Sequence, residues 1–246
     1  EQVDRPSVAF GWWRESGALE ALVPALADAP DERFRALDFL PRADAAAPAA
    51  AEDGGTPADP KRATLDRLAM LFFGAEPATA GRALKALRFS NADAAWIAAL
   101  VRARAEIGGA VDAALAGLPA SVPPATLRRW IATIGRTRTD AFCALTAALQ
   151  MARASRPDGQ TGRWTAPPGL AEQLAAFRAE AVRVAYRDPV ELADLAVDGE
   201  DLRAAGVPAG PAMGRTLRAL LDRVLDDPAL NTRDALLGLV GGMPRG

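Results

Sequence analysis

Residues 192–240 read LADLAVDGEDLRAAGVPAGPAMGRTLRALLDRVLDDPALNTRDALLGLV, and the class of the fold can be read from this stretch. Asp198 to Gly206 encodes a short helix, with Asp198 placed as its cap and Leu202 turned inward. Gly206-Val207-Pro208-Ala209-Gly210 then has the composition of a tight hairpin whose two glycines take positive φ. Pro211 suits the first turn of a following helix, where its missing N–H is not needed. That helix is expected over Ala212 to Leu225, with Met213, Leu217, Leu220, Leu221 and Val224 on its inner face. A helix, a glycine-bounded hairpin and a second helix form one unit with no strand in it.

The rest of the chain extends this pattern. Of 246 residues, half are apolar and a quarter charged, the balance of a globular protein large enough to bury a core. Alanine and leucine dominate and β-branched runs are short, which favours helices. The spacing predicts helical segments from Pro6 to Leu26 (broken at Gly17 and Pro24), from Asp31 to Leu40 and from Arg62 to Phe72. Further helices are expected at Ala80–Leu87, Ala92–Arg104, Val111–Leu118, Pro124–Ile134 and Thr139–Arg153, with a long one at Leu170–Tyr186. Residues 43–60 carry no large apolar side chain and read as a mobile loop. Ser155 to Gly169, rich in proline and glycine, reads as a linker. The expectation is an all-α protein with a multi-helix body at 1–160 and a smaller helical tail at 161–246 containing the helix-hairpin-helix-like unit.

Several chemistries are excluded by residue type. There is no histidine, which removes imidazole acid–base catalysis, serine–histidine and cysteine–histidine pairs and His-metal sites. Cys143 is the single cysteine, so no intramolecular disulfide forms, and its apolar neighbours suggest a core thiol. Asp226-Asp227 sits at a helix end and Glu200-Asp201 on a helix, so both read as caps rather than metal ligands. No catalytic residue and no metal site is assigned. No apolar span of membrane length occurs, and the cytoplasm is the expected location. The chain starts at Glu1 directly on an amphipathic pattern, as a piece of something longer would.

The net charge is −2, and Lys61 and Lys85 are the only lysines among 29 basic residues. Nucleic-acid binding must therefore rest on local patches. A glycine hairpin leading into a helix N-terminus offers free N–H groups beside the positive end of the helix dipole, a good seat for phosphate oxygens. Arg215 and Arg218 lie in the first two turns of that helix. The same pattern also serves a plain connector whose glycines are needed for packing. Arg128 with Arg129, and Arg136 with Arg138 around Gly135, are further candidate RNA contacts, and Arg153 with Arg156 a weaker pair, each also readable as a solvated charge. Trp164 is a candidate for stacking on a base or packing on the tail.

Taken in order, Asp194, Leu195, Gly199, Asp201, Leu202, Gly206, Gly210, Pro211, Gly214 and Asn231 resemble the C-terminal tail of bacterial class II CCA-adding tRNA nucleotidyltransferases and the related poly(A) polymerases. Three earlier stretches are similar to the region after the neck and to the body of that family: PSVAFGWWRESGALEALVP (6–24), RLAMLFFGAEP (67–77) with LKALRFSNADAAWIAALV (84–101), and LRRWIATIGR (127–136). The resemblance implies a body and tail that grip the acceptor and T arms of tRNA through backbone and shape; the candidate contacts in this sequence are Arg128, Arg129, Arg136, Arg138, Gly206, Gly210, Arg215 and Arg218. The head that adds nucleotides, with its carboxylate pair, Mg²⁺ and CTP or ATP, has no counterpart here, so the chain alone is expected to be inactive and to need that head in cis or in trans. At the place where relatives carry a metal-binding His-Asp pair, this sequence has Met70-Leu71-Phe72-Phe73-Gly74. Neither DNA nor a membrane is an expected partner. The alternative is a helical protein-interaction scaffold without RNA affinity.

Overall fold

The structure, a computed structural model, describes residues 5–41, 60–119, 121–159 and 161–242. The loop expected at 43–60 lies outside these residues, apart from Pro60, which opens a helix. The all-α expectation holds. The chain folds into α1 (Pro6–Glu15), α2 (Ala18–Leu22), α3 (Asp31–Ala36), α4 (Pro60–Phe72), α5 (Pro77–Ala86), α6 (Asn91–Ala116), α7 (Pro124–Ile134), α8 (Thr139–Ala154), a two-stranded ribbon of β1 (Arg156–Pro157) and β2 (Trp164–Thr165), α9 (Leu170–Arg187), α10 (Gly199–Ala204), α11 (Pro211–Asp226) and α12 (Arg233–Gly241). Contacts divide it into two units. The first is Glu1–Pro119 with Asp140–Arg178, and the second is Ala120–Thr139 with Ala179–Gly246.

In the first unit, α4 and α5 pack on α6. Met70 and Phe72 of α4, Leu84 of α5, and Ile97, Leu100 and Val101 of α6 are all buried in its core. Phe73 meets Phe142 of α8 edge to face at 5.4 Å, and Phe10 of α1 stacks on Phe34 of α3 at 4.9 Å. Local capping fixes where helices begin: Glu76 accepts the Thr79 N–H at 2.8 Å and Ser90 accepts the Asp93 N–H at 3.2 Å. Cys143 is buried, and burial pushes its thiol pKa up to about 12.

Two expectations are corrected here. The helices read at Ala92–Arg104 and Val111–Leu118 are one continuous helix, because Gly108-Gly109 does not break it. A Cβ on Gly108 would lie 2.8 Å from Cδ and Nε of Arg104, so this glycine clears a path for a buried arginine running to Asp112. That carboxylate also accepts from Gln150 at 2.7 Å and Arg153 at 2.8 Å. Burial works against its charge, but the two guanidinium groups outweigh it and hold its pKa below the usual carboxylate range. The supposed linker contains the β ribbon, with Arg156 opposite Thr165 and Pro157 opposite Trp164. Within the first unit, the Arg35 guanidinium lies 4.3 Å from the Trp164 ring centroid.

The second unit is built around Val197, Leu202, Leu220, Val224, Leu236 and Val240, with Leu195, Val207, Met213 and Leu217 packed against them. α7 lies on α11, and α12 contacts both α10 and α11. Of the inner face expected for α11, Leu220 and Val224 are buried and the half-buried Met213 and Leu217 pack against them, while Leu221 is half-buried.

Candidate functional site

The tail hairpin is formed by local chemistry. Asp198 caps α10 by accepting the N–H groups of Glu200 at 2.8 Å and Asp201 at 3.0 Å, and Asp201 returns a bond to the Asp198 N–H. The chain leaves α10 through Gly206 at φ 88°, with the Val207 N–H bonded back to the Leu202 carbonyl at 2.9 Å. It enters α11 through Gly210 at φ 95°, with Pro211 in the first turn. A Cβ at Gly206 or Gly210 would meet nothing within 4 Å. Packing therefore does not require these glycines; the left-handed backbone does.

Gly206, Pro208, Ala209 and Gly210 are exposed. The N–H groups of Ala209, Gly210, Ala212 and Met213 donate to no other residue among those described. Arg215 and Arg218 are exposed and form no ion pair among the described residues. Arg203, which the sequence did not single out, is equally exposed in the last turn of α10; in an arginine-rich chain nothing distinguished it. Together these groups form a solvent-facing edge of unpaired amides and guanidinium groups at the N-terminus of a 16-residue helix.

Arg128, Arg129, Arg136 and Arg138 are engaged within the protein, as are Arg153, on Asp112, and Arg156, on the Ser155 carbonyl. Arg128 is 7% exposed. Its guanidinium donates to the Leu225 carbonyl at 2.7 Å and the Asp226 carbonyl at 3.1 Å, and to Asp188 at 3.1 Å, so it caps the C-terminus of α11. Arg129 donates to both oxygens of the Asp226 carboxylate at 2.8 Å. The Arg136 N–H bonds to Glu191 at 3.0 Å, and its side chain bonds to Asp194. Arg138 folds back onto the Ile134 carbonyl at 3.2 Å, passing so close to Gly135 that a Cβ there would clash with it.

Asp194 and Asn231 organise the turn before α10. Asp194 accepts the N–H groups of Val190 at 2.9 Å and Glu191 at 2.8 Å. Burial opposes its charge, yet these bonds and Arg136 hold its pKa below the ordinary range. Asn231 accepts from the Ala196 N–H at 2.9 Å and donates to the Asp194 carbonyl at 2.8 Å. Of the paired acids read as caps, Asp227 accepts the Ala229 N–H at 3.0 Å and Asp201 accepts the Asp198 N–H and holds Arg233, whereas Asp226 pairs with Arg129. Among the described residues no group of three or more His, Cys, Asp or Glu is arranged to hold a metal ion, and no helix is long and apolar enough to cross a membrane.

Residues 172–240 match the family described as tRNA nucleotidyltransferase domain 2, putative. The match takes in nearly all of α9 and the whole of α10 and α11, and ends within α12. It supports the reading of this region as the body and tail of a tRNA nucleotidyltransferase. No curated protein and no solved structure matches the chain.

Proposed function

We propose that the chain is the tRNA-binding body and tail of a cytoplasmic tRNA nucleotidyltransferase of the CCA-adding or poly(A) polymerase kind. It holds the tRNA so that its 3′ end reaches a catalytic head carried outside these 246 residues, in cis or in trans. Mg²⁺ and CTP or ATP would belong with that head; in this chain Asp226 holds Arg129, Asp227 accepts the Ala229 N–H and Asp201 holds Arg233. The observation that carries the proposal is the exposed Gly206–Gly210 hairpin, in which the Ala209 and Gly210 N–H groups, like the side chains of Arg215 and Arg218, find no partner among the described residues. A-form RNA presents phosphates and 2′-hydroxyls more readily than base edges, and backbone N–H groups with arginines suit such contacts.

Filter binding of tRNA across a salt series tests this. Affinity should fall as salt rises, with log K dropping by roughly 0.7–0.9 per unit of log salt for each phosphate contacted. Absence of binding at low salt, or binding indifferent to salt, would refute it. Incubated alone with tRNA, CTP, ATP and Mg²⁺, the chain should incorporate no nucleotide; any extension would overturn the assignment of chemistry to a separate head.

A further inference from the structure

α5 has two working faces. Ala80 and Leu84 are buried against the first unit's core. On another side Thr79, Arg82, Ala83, Ala86 and the following Leu87 recur at i, i+3, i+4, i+7 and i+8, one continuous helical stripe. With Leu22, Val23, Pro24 and Ala25 this stripe lines a groove of 480 Å³. The groove leaves Leu22 67% and Leu87 44% exposed, and large aliphatic side chains left together in the open mark an interaction site. The two alanines leave room for another helix to approach closely.

The charge around the groove identifies its occupant. Arg82 is the only charged residue among the lining residues. Lys85 and Arg88 follow it, both exposed, and none of the three forms an ion pair among the described residues. Glu76, the N-cap of α5, accepts the Thr79 N–H and lies near enough for its charge to interact with Arg82, while Lys85 and Arg88 have no such acid among the described residues. Arg88 closes the helix at φ 57°, a left-handed position that favours glycine. A second copy meeting this face about a twofold axis would bring like charges together. Single-stranded RNA stacks on aromatic platforms, and this floor is aliphatic.

We infer that the groove between the Leu22–Ala25 segment and α5 docks an acidic amphipathic helix of a partner protein, with leucine-like side chains between Leu22 and Leu87 and carboxylates against Arg82 and Lys85. This surface is independent of the tail hairpin.

The test titrates the full chain with a fluorescent synthetic helix of about four turns, carrying leucines at i, i+3, i+4 and i+7 and glutamates beside them. Binding should saturate with a micromolar Kd, weaken about tenfold in R82E/K85E, and vanish in L87D. Circular dichroism should be unchanged in both variants, and so should the tRNA salt titration. A lysine version of the peptide should bind wild type poorly and R82E/K85E well. The inference fails if the acidic peptide does not saturate, or if both variants bind it as wild type does. It fails equally if an oligoribonucleotide displaces the peptide with matching potency, or if sedimentation shows a dimer that L87D dissolves.

Discussion

The second unit contains two glycine bends that look alike in sequence and differ in what surrounds them. At Gly135 (φ 87°) and at Gly206–Gly210 (φ 88° and 95°) the backbone turns left-handed beside a pair of arginines. Around Gly135, however, Arg136 meets Glu191 and Asp194, and the preceding helix sends Arg128 and Arg129 to Leu225, Asp226 and Asp188. Arg215 and Arg218, after Gly210, meet no acceptor among the described residues. A guanidinium surrounded by carboxylates and helix-end carbonyls fastens the fold, whereas one facing water is available to a ligand. Acceptors, more than arginine content, separate the two roles.

Breaking the fastened bend should give the largest effect. Arg128→Ala leaves two α11 carbonyls and Asp188 without their donor, and should lower unfolding stability by about 3 kcal/mol, read from urea denaturation. An unchanged midpoint would show that the bend is not a fastening. Reversing charge at the open bend should act on affinity instead: R215E/R218E should weaken tRNA binding at low salt by about tenfold or more and reduce the salt slope by about 2, with melting unchanged. Equal loss of stability in that variant would erase the distinction. Gly210→Ala puts a side chain on a backbone (φ 95°, ψ −144°) essentially reserved for glycine, although no neighbouring residue blocks it, so a loss of about 1–3 kcal/mol is expected. The smallest effect concerns pH. Asp194 has a folded pKa below its unfolded value, so it stabilises the unit above the ordinary carboxylate range, and that contribution is lost as pH falls through the folded pKa. Asp194→Asn should flatten the acid limb of a stability–pH curve; a curve identical to wild type would remove Asp194 as its cause.

The sequence made the tail largely legible because its determinants are local. Asp198, Gly206, Gly210 and Pro211 each act within a few residues, and the 3.6-residue spacing of Met213, Leu217, Leu220 and Val224 marks the face that is buried. The fate of the first four arginines was not legible. Arg128 and Arg129 find partners 60 to 98 positions away, and Arg136 finds its partners 55 and 58 away, and no local pattern encodes these pairings. Gly108 misled for a related reason: glycine commonly punctuates a helix, but here it accommodates Arg104 beneath an unbroken one. The β ribbon escaped notice because two-residue strands carry no alternation to read.

The burial of Cys143 has a practical consequence. A thiol held protonated up to about pH 12 and closed off from solvent does not react with alkylating reagents while the first unit is folded. It is thus an intrinsic clock for that unit's opening, since the rate of labelling reports how often the core admits the reagent. The same silence leaves the background clear: a cysteine engineered on the tail surface would be the one site that takes up a dye.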